Sequence, residues 1–235
     1  MATKSGSTRG PRLGTQFRGK LAAAYGQRGV GPNSLWYVYS PRSQCDWVLR
    51  SDLEWDHFVL AESDPTITSC SYEPTQNSLP LGGYMLDVPV DAVITYNDGS
   101  VEWRRIRFAG KERDDVSDVA LKLDEQIAAA KQAGVTYKLW TEETIRRNPL
   151  LLANWRRAIA WMAAARDRPL SAYQEELHRA LRAKSALTFA EIETMFGEPS
   201  FGLYAAAAFS GLQRGTYVSD LDVAPLSRKT TLHLQ

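Results

Sequence analysis

The stretch Leu86–Glu112, LDVPVDAVITYNDGSVEWRRIRFAGKE, decides how the chain is read. It divides into two strand-like runs, Val88–Tyr96 and Val101–Phe108, joined by Asn97-Asp98-Gly99-Ser100. Asp-Gly between β-branched and aromatic residues is a strong hairpin signal. Side chains alternate along a strand, so Arg105 and Arg107 share one face of the second run. Arg104, Ile106 and Phe108 share the other, and Asp91 lies on the first run among Val and Ile. An acid set against two guanidiniums across a hairpin is an active site, the remnant of one, or a plain cross-strand ion pair. The last would stabilise the sheet by roughly 0.2–1 kcal/mol.

Outward from this hairpin, the 235 residues suffice for one large domain or two small ones with a real core. The 28 basic residues nearly cancel the 27 acidic ones, so global charge announces no nucleic-acid partner. Local charge differs. Residues 1–45 hold Lys4, Arg9, Arg12, Arg18, Lys20, Arg28 and Arg42 and no acid, which reads as a solvated basic arm or as one that tracks a phosphate backbone. Cys45 and Cys70 have no metal-site spacing and read as small apolar residues of a reduced, cytoplasmic protein. The absence of any 18-residue apolar run predicts no membrane span, and no secretory leader is evident.

Residues 1–34, rich in Gly, Ser, Arg and Pro, are expected to carry little fixed structure. Leu35–Tyr39 reads as a strand. Trp47–Leu60 reads as a helix entered through a Ser43/Asp46 capping box, and Thr66–Tyr72 as a strand. After the hairpin come a helix over Val119–Ala133 stopped at Gly134, a strand over Val135–Trp140, a short helix opened at Thr141, and a strong helix over Asn154–Asp167. The expectation is a mixed α/β domain over 35–167, with helices flanking a small sheet. Past Arg168-Pro169, helices over Ser171–Lys184, Thr188–Phe196 and Phe201–Gln213 precede two short strands, which is the winged-helix plan for 168–235. Most tryptophans fall on apolar stripes and read as core. The three histidines are scattered and suggest no ligand set.

In order and spacing, these residues resemble the TnsA-like transposon endonucleases, a branch of the restriction-endonuclease-like fold whose nuclease domain is followed by a winged helix. The resemblance is carried by Ser43-Gln44-Cys45-Asp46 and then Leu53-Glu54-Trp55-Asp56. It continues through Val90-Asp91-Ala92, Tyr96-Asn97-Asp98-Gly99 and the intact Thr141-Glu142-Glu143-Thr144-Ile145-Arg146. Position by position it implies that Asp46 stands for the helix glutamate and Asp91 for the central metal ligand. Arg105 stands where an acid or amide belongs, and Arg107 where a lysine belongs.

Such nucleases hold Mg²⁺ with carboxylates, and the ion stabilises charge on the scissile phosphate. A guanidinium cannot coordinate a cation and never loses its charge. At ~4 Å from a divalent ion, its repulsion is on the order of several kcal/mol even at an effective dielectric near 20. The resemblance therefore implies a DNA-binding, nuclease-shaped subunit without metal-dependent cleavage and without a cofactor. Asp46 and Asp91 would be residual metal positions at most, and Asp46 reads equally well as a helix-terminal acid. The alternatives are an active Mg²⁺-dependent endonuclease in which Glu102 or Glu112 supplies the missing carboxylate, or a non-catalytic adaptor. Implied partners are transposon-end DNA, a DDE transposase of the TnsB kind and an ATPase of the TnsC kind, in a bacterial cytoplasm. Arg104, Arg105, Arg107, Lys111, Arg12, Arg18 and Lys20 would meet phosphates. The helix over Phe201–Gln213 has so few basic residues that a protein contact is expected there.

Overall fold

The structure, a computed structural model, describes residues 34–73, 75–109, 116–198 and 200–235. The segment 1–33, with Arg12, Arg18 and Lys20, lies outside them, as do Lys111 and Glu112. Among the described residues the protein is a mixed α/β structure with seven helices and four small sheets. None of these helices is long and apolar enough to cross a membrane.

The central hairpin forms where the turn chemistry places it. Strand β6 (Ala92–Tyr96) pairs antiparallel with β7 (Val101–Ile106), Thr95 opposite Val101. Gly99 takes φ +82°, a backbone region that costs glycine nothing. The Asp98 carboxylate accepts hydrogen bonds from Ser100 N and Oγ, at 2.9 and 2.6 Å. Strand β3 (Ile67–Ser71) flanks β6 antiparallel. Strand β8 (Thr136–Trp140) flanks β7 in parallel, giving the order β3-β6-β7-β8. A parallel neighbour requires a crossover, which the helix Val116–Gln132 supplies.

The run expected as one strand from Val88 is two. Strand β5 (Tyr84–Val90) pairs with β4 (Thr75–Leu81) in a separate ribbon, and the chain bends at Asp91 before β6 begins. The bend switches the buried face. Val88 and Val90 pack into a small core with Ala129, Ala130 and Tyr137, whereas Ala92 and Ile94 pack into the main one.

The expected helix over Trp47–Leu60 is also two elements. β1 (Trp36–Ser40) and β2 (Cys45–Leu49) form a hairpin, and the first described helix, α1, spans Asp52–Ser63. Its start is capped by Ser51, whose side chain accepts from Glu54 N at 3.1 Å. Its end is closed by Arg42, whose Nη2 donates to the carbonyls of Ala61, Glu62 and Asp64 at 2.8–3.3 Å. A cation at a helix C-terminus also meets the negative end of the dipole. Arg42, counted with the basic arm, is thus part of the fold.

Past the crossover helix α2 (Val116–Gln132) come α3 (Glu142–Ile145) and α4 (Pro149–Ala164), the latter capped by Asn148 with proline at its first turn. The C-terminal part runs α5 (Ser171–Lys184), β9 (Ala186–Thr188), α6 (Phe189–Phe196), α7 (Phe201–Gln213), β10 (Tyr217–Ser219), β11 (Thr231–Leu234). Its sheet has the order β10-β11-β9. The Thr188/Glu191 capping box forms as its spacing predicts. The main core continues without a break from Val38 to Leu232, across the Arg168-Pro169 corner.

Helix α7 is buried from Tyr204 to Phe209 and from Gly211 to Gln213. A helix apolar on all sides belongs inside, and this one packs against α4, α5 and α6. It offers no free face for the protein contact expected there. Gly211 allows the closest approach in this part. A methyl group there would overlap the ring of Tyr217. Gly211→Ala should therefore cost about 1–3 kcal/mol of stability, read as a lowered midpoint in urea unfolding, whereas Ala→Gly at exposed Ala183 should cost no more than about 1 kcal/mol.

Candidate functional site

The carboxylate of Asp91 sits at the bend between β5 and β6, directly across from β7. Its Oδ1 accepts from Arg105 Nη1 at 2.7 Å and its Oδ2 from the backbone N–H of Ile106 at 2.8 Å. Its own N–H donates to Arg104 O at 2.9 Å, holding the bend against the strand. Burial pushes the Asp91 carboxyl above its ordinary range, against the Ile106 N–H and the positive fields of Arg107 and Arg50. Arg107 is exposed at the end of β7, with its N–H bonded to Trp140 O.

The second acid at this site is Glu54, not Asp46. Glu54 stands in the first turn of α1, where its Oε2 accepts from Arg50 N at 2.8 Å. Its pKa is raised to about 7, first by burial and, among the charges, by Asp91. Glu54 thus lies within the field of Asp91, and Arg50 acts on both acids. Asp46 has other company. It lies on β2, takes a 2.9 Å hydrogen bond from Tyr37 Oη, and is 3.7 Å from Arg166 Nη1. Asp46 is thus a strand residue, and its expected place at the start of a helix is corrected. The sequence held the missed signal, because Ser51-Asp52-Leu53-Glu54 is itself a Ser-x-x-Glu helix start. The apolar run Trp47-Val48-Leu49 fits a helical stripe as well as a strand, which places the expected cap at Ser43, eight residues before the observed one at Ser51.

Arg104, expected at phosphates, is 2% exposed. It points from β7 toward α1, donating to Glu102 Oε1 at 2.6 Å, to Tyr96 Oη at 2.7 Å and to His57 Nε2 at 3.0 Å, with its guanidinium 3.9 Å over the Trp140 ring. An arginine can only donate, so His57 Nε2 accepts and Nδ1–H donates to Tyr72 Oη at 3.0 Å. Burial and the neighbouring Arg104 hold the His57 imidazole well below its usual pKa, so it stays neutral. Glu102, named above as a possible substitute ligand, is committed to Arg104 and to Lys138 at 2.5 Å. These groups form a satisfied structural network.

The donor set does not fit a magnesium ion. Both oxygens of Asp91 are taken, one by a guanidinium, and Glu54 is held to its neutral form by burial up to about pH 7. Mg²⁺ demands ionised hard oxygens in near-octahedral array. Among the described residues, no three His, Cys, Asp or Glu side chains converge on a point that could hold a metal. What the arrangement offers is positive charge with fixed geometry beside a buried carboxylate. No known family model matches the chain, and no curated protein matches its sequence.

The raised pKa of Glu54 fixes the sign of a pH effect. The folded state holds this proton up to about pH 7 and the unfolded chain releases it near the ordinary 4.5, so stability falls as pH rises between those values. Glu54→Gln should remove that fall and be more stable than wild type at pH 8, by on the order of 1–2 kcal/mol after allowance for partial solvation. Urea titrations at pH 5 and pH 8 read both. Arg104→Ala leaves Glu102 to Lys138 alone and takes the donor from His57 Nε2 and Tyr96 Oη, and should lose about 2–4 kcal/mol in the same assay, while Arg105→Ala, at the partly exposed pair, should lose no more than about 1 kcal/mol.

Proposed function

We propose that the protein is a DNA-binding subunit of a transposon-type transposase, nuclease-shaped but impaired in metal-dependent strand cleavage. One observation carries this reading: Arg105 Nη1 lies 2.7 Å from Asp91 Oδ1, where a metal-holding oxygen would have to be free. The surrounding architecture supports it. A helix acid lies within the field of a hairpin acid beside a four-stranded mixed sheet with a helical crossover, the arrangement expected of a restriction-endonuclease-like domain. The order α5-β9-α6-α7-β10-β11 agrees with a winged helix. Its third helix is turned into the core, so this module would not read a DNA groove with α7. Substrate contact at the hairpin then rests on Arg105 and Arg107 with Arg50 beside them, giving salt-sensitive and sequence-tolerant binding. The partners on this reading are transposon-end DNA, a DDE transposase of the TnsB kind and an ATPase of the TnsC kind.

A second reading, an active Mg²⁺-dependent endonuclease cutting 5′ ends, draws on the proximity of the Glu54 and Asp91 carboxylates. It requires Arg105 to leave Asp91. Plasmid nicking with Mg²⁺ or Mn²⁺ and the cognate transposase separates the two. The first reading expects none from wild type, and nicking abolished by Asp91→Ala would replace it with the second. Arg105→Glu combined with Arg107→Lys is expected to gain metal-dependent nicking. A mobility shift on transposon-end DNA at low salt tests the binding itself; its absence there would leave only an adaptor role.

A further inference from the structure

The C-terminal helices carry a second concentration of cations, away from the hairpin. Helix α5 buries Leu177 and Leu181. Beside that apolar stripe, the flank of the helix presents Ser171, Gln174, Glu175, His178 and Arg182 to an open trough of about 520 Å³. Arg179 from the same helix and Arg214 from the corner between α7 and β10 complete its walls. Its floor is the buried ring of Tyr217, which lies this deep only because Gly211 has no side chain. Gln174 fastens wall to floor, donating to Ser210 Oγ at 3.3 Å and accepting from Tyr217 Oη through its carbonyl at 3.4 Å.

A neighbouring hollow of about 260 Å³ shares Ser171, Gln174 and Arg214 with this trough and adds Arg166 and Arg168. The two make one channel with Arg214 at its middle. Five arginines line it, against a single carboxylate, Glu175. Arg166 is partly engaged by Asp46 and Asp167. Among the described residues, Arg168, Arg179, Arg182 and Arg214 form no ion pair and are exposed.

We propose that this channel binds the phosphate backbone of DNA. The proposal rests on the DNA-binding reading above and places the C-terminal contact on α5 in place of α7. A pocket for a small molecule is enclosed and mostly apolar. This one is open and walled by permanently charged forks that match phosphate. A concave surface lined with one sign of charge concentrates its field and draws in a polyanion. From Ser171 to Arg182 the helix rises about 16 Å, the span of about four or five phosphates at roughly 3.4 Å per step of one strand.

The test uses the full chain and a fluorescently labelled transposon-end duplex, with anisotropy followed from about 50 to 200 mM salt. A variant combining Arg179→Gln, Arg182→Gln and Arg214→Gln should bind about 10- to 100-fold more weakly at low salt. Its log–log salt slope should be shallower by about 2–3, one counterion per lost phosphate contact. Its melting temperature should match wild type, because all three side chains are exposed. Glu175→Gln, which removes the one opposing charge, should bind more tightly than wild type. If wild type binds and the triple variant keeps both its affinity and its slope, the channel assignment is overturned while the DNA-binding reading stands. If wild type does not bind at low salt, both fall together.

Discussion

Helix α1 buries three polar side chains, Asp56, His57 and Glu62, and each must find a partner on another part of the chain. An unpaired polar group in an apolar interior costs several kcal/mol, so the positions of those partners are constraints on the fold. His57 is met by Tyr72 from the segment after β3 and by Arg104 from β7, which sets the distance between helix and sheet. Asp56 is met by Arg146 after α3 and by Arg156 on α4. Glu62 is met by Ser40 Oγ at 2.6 Å, Arg42 N at 3.2 Å and Gln213 Nε2 at 2.6 Å. Sheet, N-terminal hairpin and C-terminal helices are therefore all registered against one helix. The site at Glu54 inherits its position from the same element.

The hairpin, the crossover helix, β8, α5, α7 and the Thr188 cap were legible in the sequence because each is dictated locally. Asp-Gly fixes a turn, Gly134 stops a helix, and a Thr-x-x-Glu spacing starts one. The errors arose where one pattern fits two structures. Trp47-Val48-Leu49 is apolar enough to join a helical stripe, but it pairs with Tyr37-Val38 as a strand, and a short apolar run cannot be assigned from periodicity alone. The ribbon strand β4, TQNSLPL, carries little β-branched or aromatic character and is defined by its pairing with β5, for which the Gly82-Gly83 turn, both residues at positive φ, is the one local signal.

The candidate site was legible in part. Asp91, Arg105 and the hairpin face they share follow from alternation and turn register, and their ion pair is the one that geometry anticipates. Arg104 was misplaced for a different reason. Alternation assigns it to the face opposite Arg105, but whether that face meets solvent or a helix depends on tertiary packing. An arginine becomes a core residue only when Glu102, His57, Tyr96 and Trp140 converge on it from four separate segments. The channel along α5 was hidden likewise, since Arg166, Arg168, Arg179, Arg182 and Arg214 are scattered over 49 positions of a nearly neutral chain.

The bonds from Gln213 to Glu62 span 151 residues and lie wholly inside the protein. Cutting the polypeptide at the Arg168-Pro169 corner would leave an acid without its amide and divide a core that runs from Val38 to Leu232, so neither fragment inherits a finished interior. The parts on either side of that corner therefore share one interior. A displacement of the end of α7 is thus passed to the end of α1 through buried bonds, with no linker between them to absorb it.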